Sequence, residues 1–269
     1  MTATAPIALT PATGLGMPAL ADLFNRAYEG YEVPLHVDAG AVEFMHEAFD
    51  LAPDRSRIAW RDERPIGLAM LAVRGTRAWV GGMGVATEAR RAGVGEQLMR
   101  ALLDSARAAG VKRVQLEVLE PNSRARLLYE KLGFRMFRRL EVWQWDSPAP
   151  APGIPVEACD PRAARRAPDP WQREDATIDR LDVSTPALRA VHTSGGDAIY
   201  RVTDGRASVL QMAAGDERTA GALLDAIRSR AGVTVLRYLN VPDDDPAVAA
   251  LRARGATLPV AQFEMALEL

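Results

Sequence analysis

A glycine-rich turn between a predicted strand and a predicted helix carries the residue types most able to do chemistry. Its motif is Arg90-x-x-Gly93-x-Gly95, and it follows an apolar segment that ends at Val85. Glycines remove Cβ atoms from such a turn, so the backbone can approach a ligand and point its N–H groups at it. The helix that follows adds the positive end of its dipole at the same place. We therefore predict a binding site for a pyrophosphate or a similar anion.

The composition and charge are those of a soluble globular protein. The chain has 269 residues, enough for two domains of ordinary size, and 48% of them are hydrophobic and 25% charged. The formal net charge of -2 gives no long-range field for nucleic acid or an anionic membrane. No apolar run reaches the length of a transmembrane helix. We therefore expect neither nucleic acid nor a membrane as a partner.

The cysteine and histidine content bears on the cellular compartment and on metal binding. A single cysteine, Cys159, cannot form an internal disulfide, which is typical of a reducing cytoplasm. Residues 1–20 lack a basic segment followed by a continuous apolar core, so we expect no signal peptide and a cytoplasmic location. The three histidines form no cluster with cysteine, and we expect no metal site.

Hydrophobic periodicity predicts the elements around the glycine turn. The clearest helix runs over residues 96–109, with its apolar residues on one face. The strand over residues 78–85 is interrupted by Gly81-Gly82, which indicates a β-bulge or a close backbone approach. Another strand is predicted over residues 114–119. The glycine turn therefore lies between the end of a predicted strand and the start of a predicted helix.

The remaining elements of the first half predict a mixed α/β sheet. A short helix is expected over residues 124–132, and residues 134–137 and 140–145 are expected to close a hairpin. The predicted order is β, α, α, β, β, β, α, β, α, β, β. Strands joined by crossover helices are typical of a mixed α/β sheet.

A proline- and alanine-rich segment over residues 147–156 divides the chain. Such a segment cannot form a helix or a central strand, so it marks a linker. We predict one domain over residues 1–146 and a second over residues 157–269. The second is less patterned at first, and its clearest elements are strands over 198–202, 208–212, 233–239 and 262–267 and helices over 219–230 and 246–254.

The two halves of the chain end alike, which indicates an internal repeat. Aligned without gaps, Gly133 falls on Gly255, Asn122 on Asp244 and Tyr129 on Leu251. The upstream predicted helices match as well. Two similar β-α-β units arising by chance are the alternative.

The turn before the corresponding helix of the second half differs from the glycine turn. Residues 213–218 lack the Arg-x-x-Gly-x-Gly motif and carry two carboxylates, Asp216 and Glu217. Carboxylates at this place would repel a phosphate. We interpret the second half as a copy that kept the fold and lost the anion site.

Two motifs taken together resemble the GNAT family of acetyl-coenzyme A-dependent N-acetyltransferases. The first is the glycine turn, and the second is Asn122-x-x-Ala125-x-x-Leu128-Tyr129-Glu130-Lys131-Leu132-Gly133-Phe134. The resemblance covers residues 1–146 well and residues 156–269 weakly. It implies two tandem GNAT-like domains of the acyl-CoA N-acyltransferase fold, with a catalytic first domain and a degenerate second one.

The resemblance also implies where acetyl-CoA would bind. In the family fold the fourth and fifth strands splay apart, and coenzyme A enters the split. The pantetheine arm would pair with the strand before the glycine turn, the pyrophosphate would meet the N–H groups of the turn, and one of its two arginines would contact a phosphate. Thr87 stands where the family often has proline, which should affect turn stiffness more than chemistry. The implied cofactor-binding residues are Met83, Gly84, Val85, Arg90, Arg91, Ala92, Gly93, Val94, Gly95, Glu96, Asn122 and Tyr129.

The implied reaction is direct transfer of an acetyl group to a primary amine of a small molecule or peptide. Tyr129 is the candidate acid that protonates the leaving thiolate, and Glu117 is the candidate base that takes a proton from the amine. Glu120 is a lesser candidate for the base. Tyr129 could instead only cap the sheet with its ring, and Glu117 could be an exposed strand glutamate.

The acceptor is suggested only in outline. An acidic and aromatic segment, Tyr28-Glu29-Gly30-Tyr31-Glu32, follows the first predicted helix, where the family usually borders its acceptor site. An acidic lip would suit a cationic amine, and a solvated helix face is the alternative. Small amines, antibiotics, amino acids and peptide N-termini all remain open, as does a homodimer.

Two other functions compete with an active first domain. One is a non-catalytic acetyl-CoA-binding sensor or scaffold, which the complete glycine turn, Asn122 and Tyr129 disfavour. The other is a tandem acyltransferase similar to mycothiol synthase, in which the C-terminal domain is the active one. Leu251 and the missing glycine turn of the second half speak against it.

Overall fold

The computed structural model describes residues 6–146, 154–166, 170–184 and 188–269. The chain forms two compact units, one of residues 1–137 with 264–269 and the other of residues 138–263. This division differs from the predicted boundary at residue 146, because residues 138–146 belong to the second unit and the last six residues to the first. Residues 147–153 of the predicted linker lie outside the described residues.

The first unit is a mixed sheet with helices. Its elements are β1 (Ala8–Pro11), α1 (Met17–Ala27), α2 (Ala39–Phe49), β2 (Arg57–Arg61), β3 (Arg64–Arg74), β4 (Arg77–Val85), α3 (Val94–Ala108), β5 (Arg113–Leu119), α4 (Ser123–Lys131), the start of β6 (Arg135–Trp145) and the end of β12 (Thr257–Glu268). The strand order is β1-β2-β3-β4-β5, followed by the end of β12. The first four strands pair antiparallel, and β4 pairs with β5 in parallel.

Amphipathic helices cover this sheet, as the sequence predicts. In α3 the buried residues Leu98, Leu102 and Ala106 share one face, and the helix ends before Gly110, which takes a left-handed φ of 76°. The helix begins at Val94, two residues earlier than predicted. In α2, Val42 and Ala48 are the buried residues.

The bulge predicted in β4 is confirmed. Met70 of β3 pairs with Gly82 and Leu71 pairs with Val80, so Gly81 has no partner in the ladder. A Cβ on Gly81 would lie 2.7 Å from side-chain atoms of Leu51 and Trp79. Glycine is therefore required at this crowded position.

The hairpin predicted after α4 is wrong. Residues 135–145 form the single strand β6. The two arginines between the predicted strands, Arg138 and Arg139, are not turn formers, and Arg139 forms an ion pair with Glu141 two residues on. Without Gly, Pro, Asn or Asp at this point, the chain continues extended.

The second unit is also a mixed sheet with helices. Its elements after β6 are β7 (Glu157–Cys159), α5 (Asp175–Ser184), β8 (Arg189–Thr193), β9 (Gly196–Thr203), β10 (Arg206–Ala214), α6 (Glu217–Ala231), β11 (Val235–Pro242), α7 (Pro246–Ala253) and the start of β12. The order from the start of β12 is β12-β6-β11-β10-β9-β8-β7. Only β10 and β11 form a described parallel pair. Strands β7 and β8, absent from the sequence prediction, are short.

The sheet geometry of the second unit repeats that of the first, which supports the predicted duplication. In β10 the register shifts between Val209 and Gln211 and leaves Leu210 as the bulged residue. In β4 the corresponding bulge lies at Gly81, and each bulge is followed by a strand end and a long helix. The two units are thus built by the same rules, each around its own core.

Candidate active site

Strands β4 and β5 pair over a short stretch and then separate. Their parallel ladder joins Arg77 to Arg113, Ala78 to Val114 and Trp79 to Gln115. Beyond these pairs β4 continues to Val85 and β5 to Leu119, with no further β4–β5 ladder among the described residues of either strand. We call the space between these two strand ends the β4–β5 gap.

The backbone N–H of Met83 in β4 donates to a group outside the β-sheet ladder. It donates a hydrogen bond to the hydroxyl of Tyr28, with a distance of 3.2 Å between N and Oη. Tyr28 follows α1, and its ring stacks on Phe24 with centroids 4.3 Å apart. A tyrosine hydroxyl therefore lies at the Met83 N–H.

Two glycines of β4 make room for this tyrosine. A Cβ on Gly84 would lie 2.8 Å from Cβ of Ala27 and 3.3 Å from the Tyr28 ring. A Cβ on Gly82 would lie 3.4 Å from the Tyr28 hydroxyl. These glycines bring α1 and the Tyr28 ring down onto the strand.

Three tyrosines influence one another near the gap. Tyr28 and Tyr31 meet edge to face with centroids 5.1 Å apart, and both help to raise the pKa of the buried Tyr129. Burial is the main cause of the raised pKa of Tyr28, Tyr31 and Tyr129. Each hydroxyl therefore keeps its proton at neutral pH and acts as a donor rather than a base.

Asn122 links the start of α4 to this tyrosine group. Its side-chain oxygen accepts a hydrogen bond of 3.1 Å from the N–H of Ala125, so it caps the helix. A hydrogen bond between Asn122 and Tyr31 partly opposes the burial that raises the pKa of Tyr31. Asn122 therefore fixes the start of α4 and also contacts Tyr31.

Glu117 lies on β5 just beyond the last β4–β5 pair. Its carboxylate accepts a hydrogen bond of 2.7 Å from the indole N–H of Trp79 on β4. Trp79 is itself packed edge-on against Phe49 of α2. Glu117 is half-buried, as is Glu120 after the strand. The sequence did not indicate that Trp79 holds the candidate base.

The glycine turn has the backbone conformation that an anion site needs. Arg91 and Gly93 take left-handed φ angles of 66° and 75°, and Gly93 is the N-cap of α3. Having no side chain, Gly93 cannot cap the helix, so the first N–H groups of α3 are left without a side-chain cap. A Cβ on Gly93 would meet only the Gln97 amide, at 3.9 Å.

The two arginines of the turn have different surroundings. Arg90 donates to three backbone carbonyls, of Val85 at 2.9 Å, Ala27 at 3.1 Å and Glu29 at 2.7 Å. It therefore holds the turn to the end of α1. Arg91 is exposed. Of the two, Arg91 is the better placed to meet a phosphate.

The predicted site residue Glu96 lies in the first turn of α3. Its carboxylate forms ion pairs with Lys131 at 2.6 Å and with Arg100 at 2.8 Å. Hydrogen bonds from Lys131 and Arg100 lower the pKa of Glu96. The negative charge next to the anion turn is thereby largely balanced.

A groove of about 640 Å³ opens beside the tyrosine group. It is formed by the end of α1 and the segment that follows. Its lining residues are Asn25, Arg26, Tyr28, Glu29, Gly30, Tyr31, Pro34, Leu35 and His36. The groove thus combines aromatic and aliphatic side chains with the carboxylate of Glu29.

Sequence reasoning missed Glu264, which belongs to the first unit although it lies near the end of the chain. The side chain of Glu264 is fully buried and accepts a hydrogen bond of 3.1 Å from Gln115 of β5. Gln115 belongs to the last β4–β5 pair. Nothing in the sequence indicates that β12 reaches the first unit, because the contact joins residues far apart in the chain.

The corresponding strands of the second unit also separate in the described ladder, but one residue of the same unit contacts both of them. Strands β10 and β11 pair only from Arg206–Val235 to Val209–Tyr238. Arg173 donates to the carbonyl of Asn240 at 3.1 Å and stacks on the Tyr238 ring, while its own carbonyl accepts from Gln211 at 3.0 Å. Arg173 thus contacts both strands.

The helix start of the second unit carries its own anion. The carboxylate of Asp216 caps α6 by accepting a hydrogen bond of 2.7 Å from the N–H of Thr219, and this bond lowers the pKa of Asp216. In the first unit the corresponding position is Gly93, which has no such group. The start of α6 thus has an internal carboxylate cap, whereas the start of α3 has no side-chain cap.

Among the residues that the structure describes, no set of three or more His, Cys, Asp and Glu side chains is placed to hold a metal ion. None of the described helices combines the length and the hydropathy of a membrane span.

Comparison with known proteins identifies the first unit. The family model described as "Acetyltransferase (GNAT) family" matches residues 17–134. No curated protein matches the sequence significantly.

Solved structures share the fold over nearly the whole chain. A GCN5-related N-acetyltransferase from Sphaerobacter thermophilus has 19% identity and a TM-score of 0.75, over 98% of this chain and 97% of its own. A tandem GNAT protein from the clavulanic acid biosynthesis pathway has 16% identity and a TM-score of 0.63, over 98% of both chains. At these identities the likeness establishes the fold. Residues 17–134 therefore form an acyltransferase domain of the GNAT family, and the chain shares the fold of a tandem GNAT protein.

Proposed function

We propose that the first unit transfers the acetyl group of acetyl-CoA directly to a primary amine. The observation that carries this proposal is the β4–β5 gap, which has a strand N–H on one side and leads to the uncapped start of α3. An extended arm can lie along β4 while a pyrophosphate meets the turn at Gly93. The second unit, whose gap contains Arg173 and whose α6 is capped by Asp216, is proposed to bind no cofactor.

The residues present fit coenzyme A. Met83 and Val85 would bond the pantetheine arm through their backbone, and the turn from Arg91 to Glu96 would hold the pyrophosphate through its N–H groups. The exposed Arg91 adds a positive charge there, whereas Arg90 supports the turn. Ordinary van der Waals space at Gly95, where a Cβ would lie 3.6 Å from Leu128, keeps the approach to the turn narrow.

The proton transfers are assigned to two groups. When bound, acetyl-CoA supplies an activated acetyl group, so that an amide C–N bond forms as the thioester C–S bond breaks. Glu117 accepts the proton that the amine loses, and Tyr129 donates the proton that the sulfur gains. The raised pKa of the buried Tyr129 keeps the donor protonated at neutral pH. The N–H of Met83 would donate a hydrogen bond to the carbonyl oxygen.

The acceptor is proposed to enter through the groove next to Tyr28. Its aromatic and aliphatic wall suits an amine with an apolar body, and Glu29 suits the ammonium group that approaches the gap. Aryl-alkyl amines and peptides with an apolar N-terminal residue are therefore the classes to test first.

Thiol release from acetyl-CoA across a panel of amines tests the proposal. The panel includes aryl-alkyl amines, polyamines, aminoglycosides and short peptides, with a thiol-reactive dye as the readout. We expect release with at least one amine class, abolished in Gly93→Glu. Tight binding of acetyl-CoA without release from any amine would contradict the enzyme function and support a sensor or scaffold instead.

A further inference from the structure

The hydroxyl of Tyr28 contacts the strand donor that an acyl oxygen would use. It accepts the N–H of Met83 at 3.2 Å, on the strand edge where the ladder between β4 and β5 has ended. This hydrogen bond uses an oxygen lone pair of Tyr28 and leaves the phenolic proton for donation. The hydroxyl and the N–H therefore form two adjacent donors.

The position of this hydroxyl is fixed by packing. The ring stacks on Phe24 and meets Tyr31 at its edge. On the strand side, only the absence of side chains at Gly82 and Gly84 allows so close an approach. A donor fixed in advance costs little reorganisation when charge develops on a nearby oxygen.

We propose that the Tyr28 hydroxyl donates a hydrogen bond to the acyl carbonyl oxygen, as a second donor beside the Met83 N–H. This inference rests on the proposed function. In the free protein the two groups bond to each other, so the buried N–H is not left without a partner. When an acyl oxygen enters, it accepts the phenolic proton of Tyr28 and shares the Met83 N–H with the Tyr28 oxygen, so the fixed hydroxyl does not have to move. Tyr28 is then a catalytic residue.

Infrared spectroscopy of bound acetyl-CoA, labelled at the thioester carbonyl carbon, tests this donor directly. Hydrogen bonds to a carbonyl lower its stretching frequency. We expect the band in the wild-type full-length protein to lie below its frequency in water, and Tyr28→Phe to move it back up. Tyr31→Phe, which removes the neighbouring hydroxyl that bonds Asn122, should leave the frequency unchanged.

Kinetics and binding complete the test. Removal of one oxyanion donor lowers kcat by about 100-fold or more, so Tyr28→Phe should do so while leaving the affinity for free coenzyme A unchanged. If Tyr28→Phe does not fold, a ring-fluorinated tyrosine at position 28, a stronger donor of the same shape, should lower the carbonyl frequency further.

The outcomes separate this inference from the proposed function. Absence of acetyl-CoA binding, or of thiol release with every amine, would overturn the proposed function. Binding and turnover with the same carbonyl frequency in the wild type and Tyr28→Phe, or in the wild type and the fluorinated protein, would overturn only the role of Tyr28.

Discussion

Burial keeps the three tyrosines near the β4–β5 gap protonated, and their hydroxyls can therefore only give protons at neutral pH. Tyr28 bonds the Met83 N–H, Tyr31 bonds Asn122, and Tyr129 is buried in α4. The carboxylate of Glu117, the proposed proton acceptor, accepts a hydrogen bond from the Trp79 indole. The proposed acid and base are thus different residue types on different elements.

The role of Tyr129 as the acid gives a prediction for one substitution. Tyr129→Phe keeps the ring in its packing with Phe134 but removes the proton donor. Because general acids contribute about 100-fold or more, kcat should fall by at least that factor while the Kd for acetyl-CoA stays within about 2-fold. Steady-state kinetics and calorimetry measure the two quantities. Unchanged kcat would remove Tyr129 from the mechanism.

The same tyrosines predict how stability depends on alkaline pH. Burial raises the pKa of Tyr28 and Tyr129 in the folded protein above the ordinary value of about 10. The unfolded chain therefore ionises first, so the contribution of these two tyrosines to stability is unchanged below about pH 10 and is lost as the pH rises above it. Urea unfolding at a series of pH values measures this loss. Tyr28→Phe should reduce the loss, and an identical pH dependence in that variant would contradict the explanation.

At the residue scale the sequence indicated candidate residues but not their contacts. Asn122 and Tyr129 were identified from a motif and Glu117 from its place relative to them, and all three lie in the first unit. Tyr28 was noted only as part of an acidic and aromatic segment, because its partner Met83 is 55 residues away. The Trp79–Glu117 and Gln115–Glu264 contacts also join separate strands, so no local sequence pattern indicates them.

At the scale of elements, the glycines of β4 and the glycine at the start of α3 have different structural roles. Gly82 and Gly84 lack side chains so that α1 and Tyr28 can pack on the strand. Gly93 takes a left-handed φ and leaves the start of α3 open. The sequence indicated a close backbone approach in both regions. It did not indicate that α1 of the same chain is the element that packs on β4.

A substitution at Gly84 tests the packing of α1 on β4. In Gly84→Ala the new Cβ would lie 2.8 Å from Cβ of Ala27, which cannot rotate away. Overpacking of this kind costs about 1–3 kcal/mol of unfolding free energy. Gly14→Ala, where a Cβ meets nothing within 4 Å, should change stability by less than about 0.5 kcal/mol. Equal stabilities of the two variants in urea unfolding would contradict this account of the glycine.

Matched substitutions near the two ends of α3 test whether its open start binds the anion. Gly93 and Gly110 have nearly the same left-handed φ, 75° and 76°, and neither position is crowded: a Cβ on Gly93 would meet only the Gln97 amide at 3.9 Å, and one on Gly110 would meet nothing within 4 Å. Gly93→Glu and Gly110→Glu should therefore lose similar unfolding free energy, about 1 kcal/mol each. Only Gly93→Glu should lose acetyl-CoA binding, because its carboxylate lies at the anion site. Equal affinities in a calorimetric titration would mean that the pyrophosphate binds elsewhere.

Secondary-structure prediction succeeded for elements with a long periodic pattern. It failed where a turn was predicted within a strand. The long helix α3 and the bulge of β4 follow from spacing and from paired glycines. Strand β6 was divided into a hairpin because two arginines interrupt its apolar pattern, yet arginine is compatible with an extended chain. Short strands such as β7 carry too few residues for a pattern to develop.

At the scale of the whole molecule, the chain contains two units with the same sheet plan and different gaps. In the first, the strand ends diverge around Met83 and the tyrosine group. In the second, Arg173 and Gln211 connect the diverging strands, and Asp216 caps the following helix. The sequence predicted the repeat and the lost anion site from one turn. It did not predict Arg173, which lies in the unpatterned segment before α5.

The division into units differs from the boundary that the proline-rich segment over residues 147–156 predicts. Residues 138–145, which precede the proline-rich segment, belong to the second unit. Residues 264–269, which follow it, belong to the first. Local composition carries no information about such an exchange.

The number of acetyl-CoA sites per chain tests the central claim most directly. Calorimetric titration of the full-length protein with acetyl-CoA should give one site, and Gly93→Glu should give none. The proposed function assigns binding to the first unit alone, since the second supplies its own Arg173 and Asp216 where a ligand would sit. Two sites in the wild type, or one site remaining in Gly93→Glu, would contradict it.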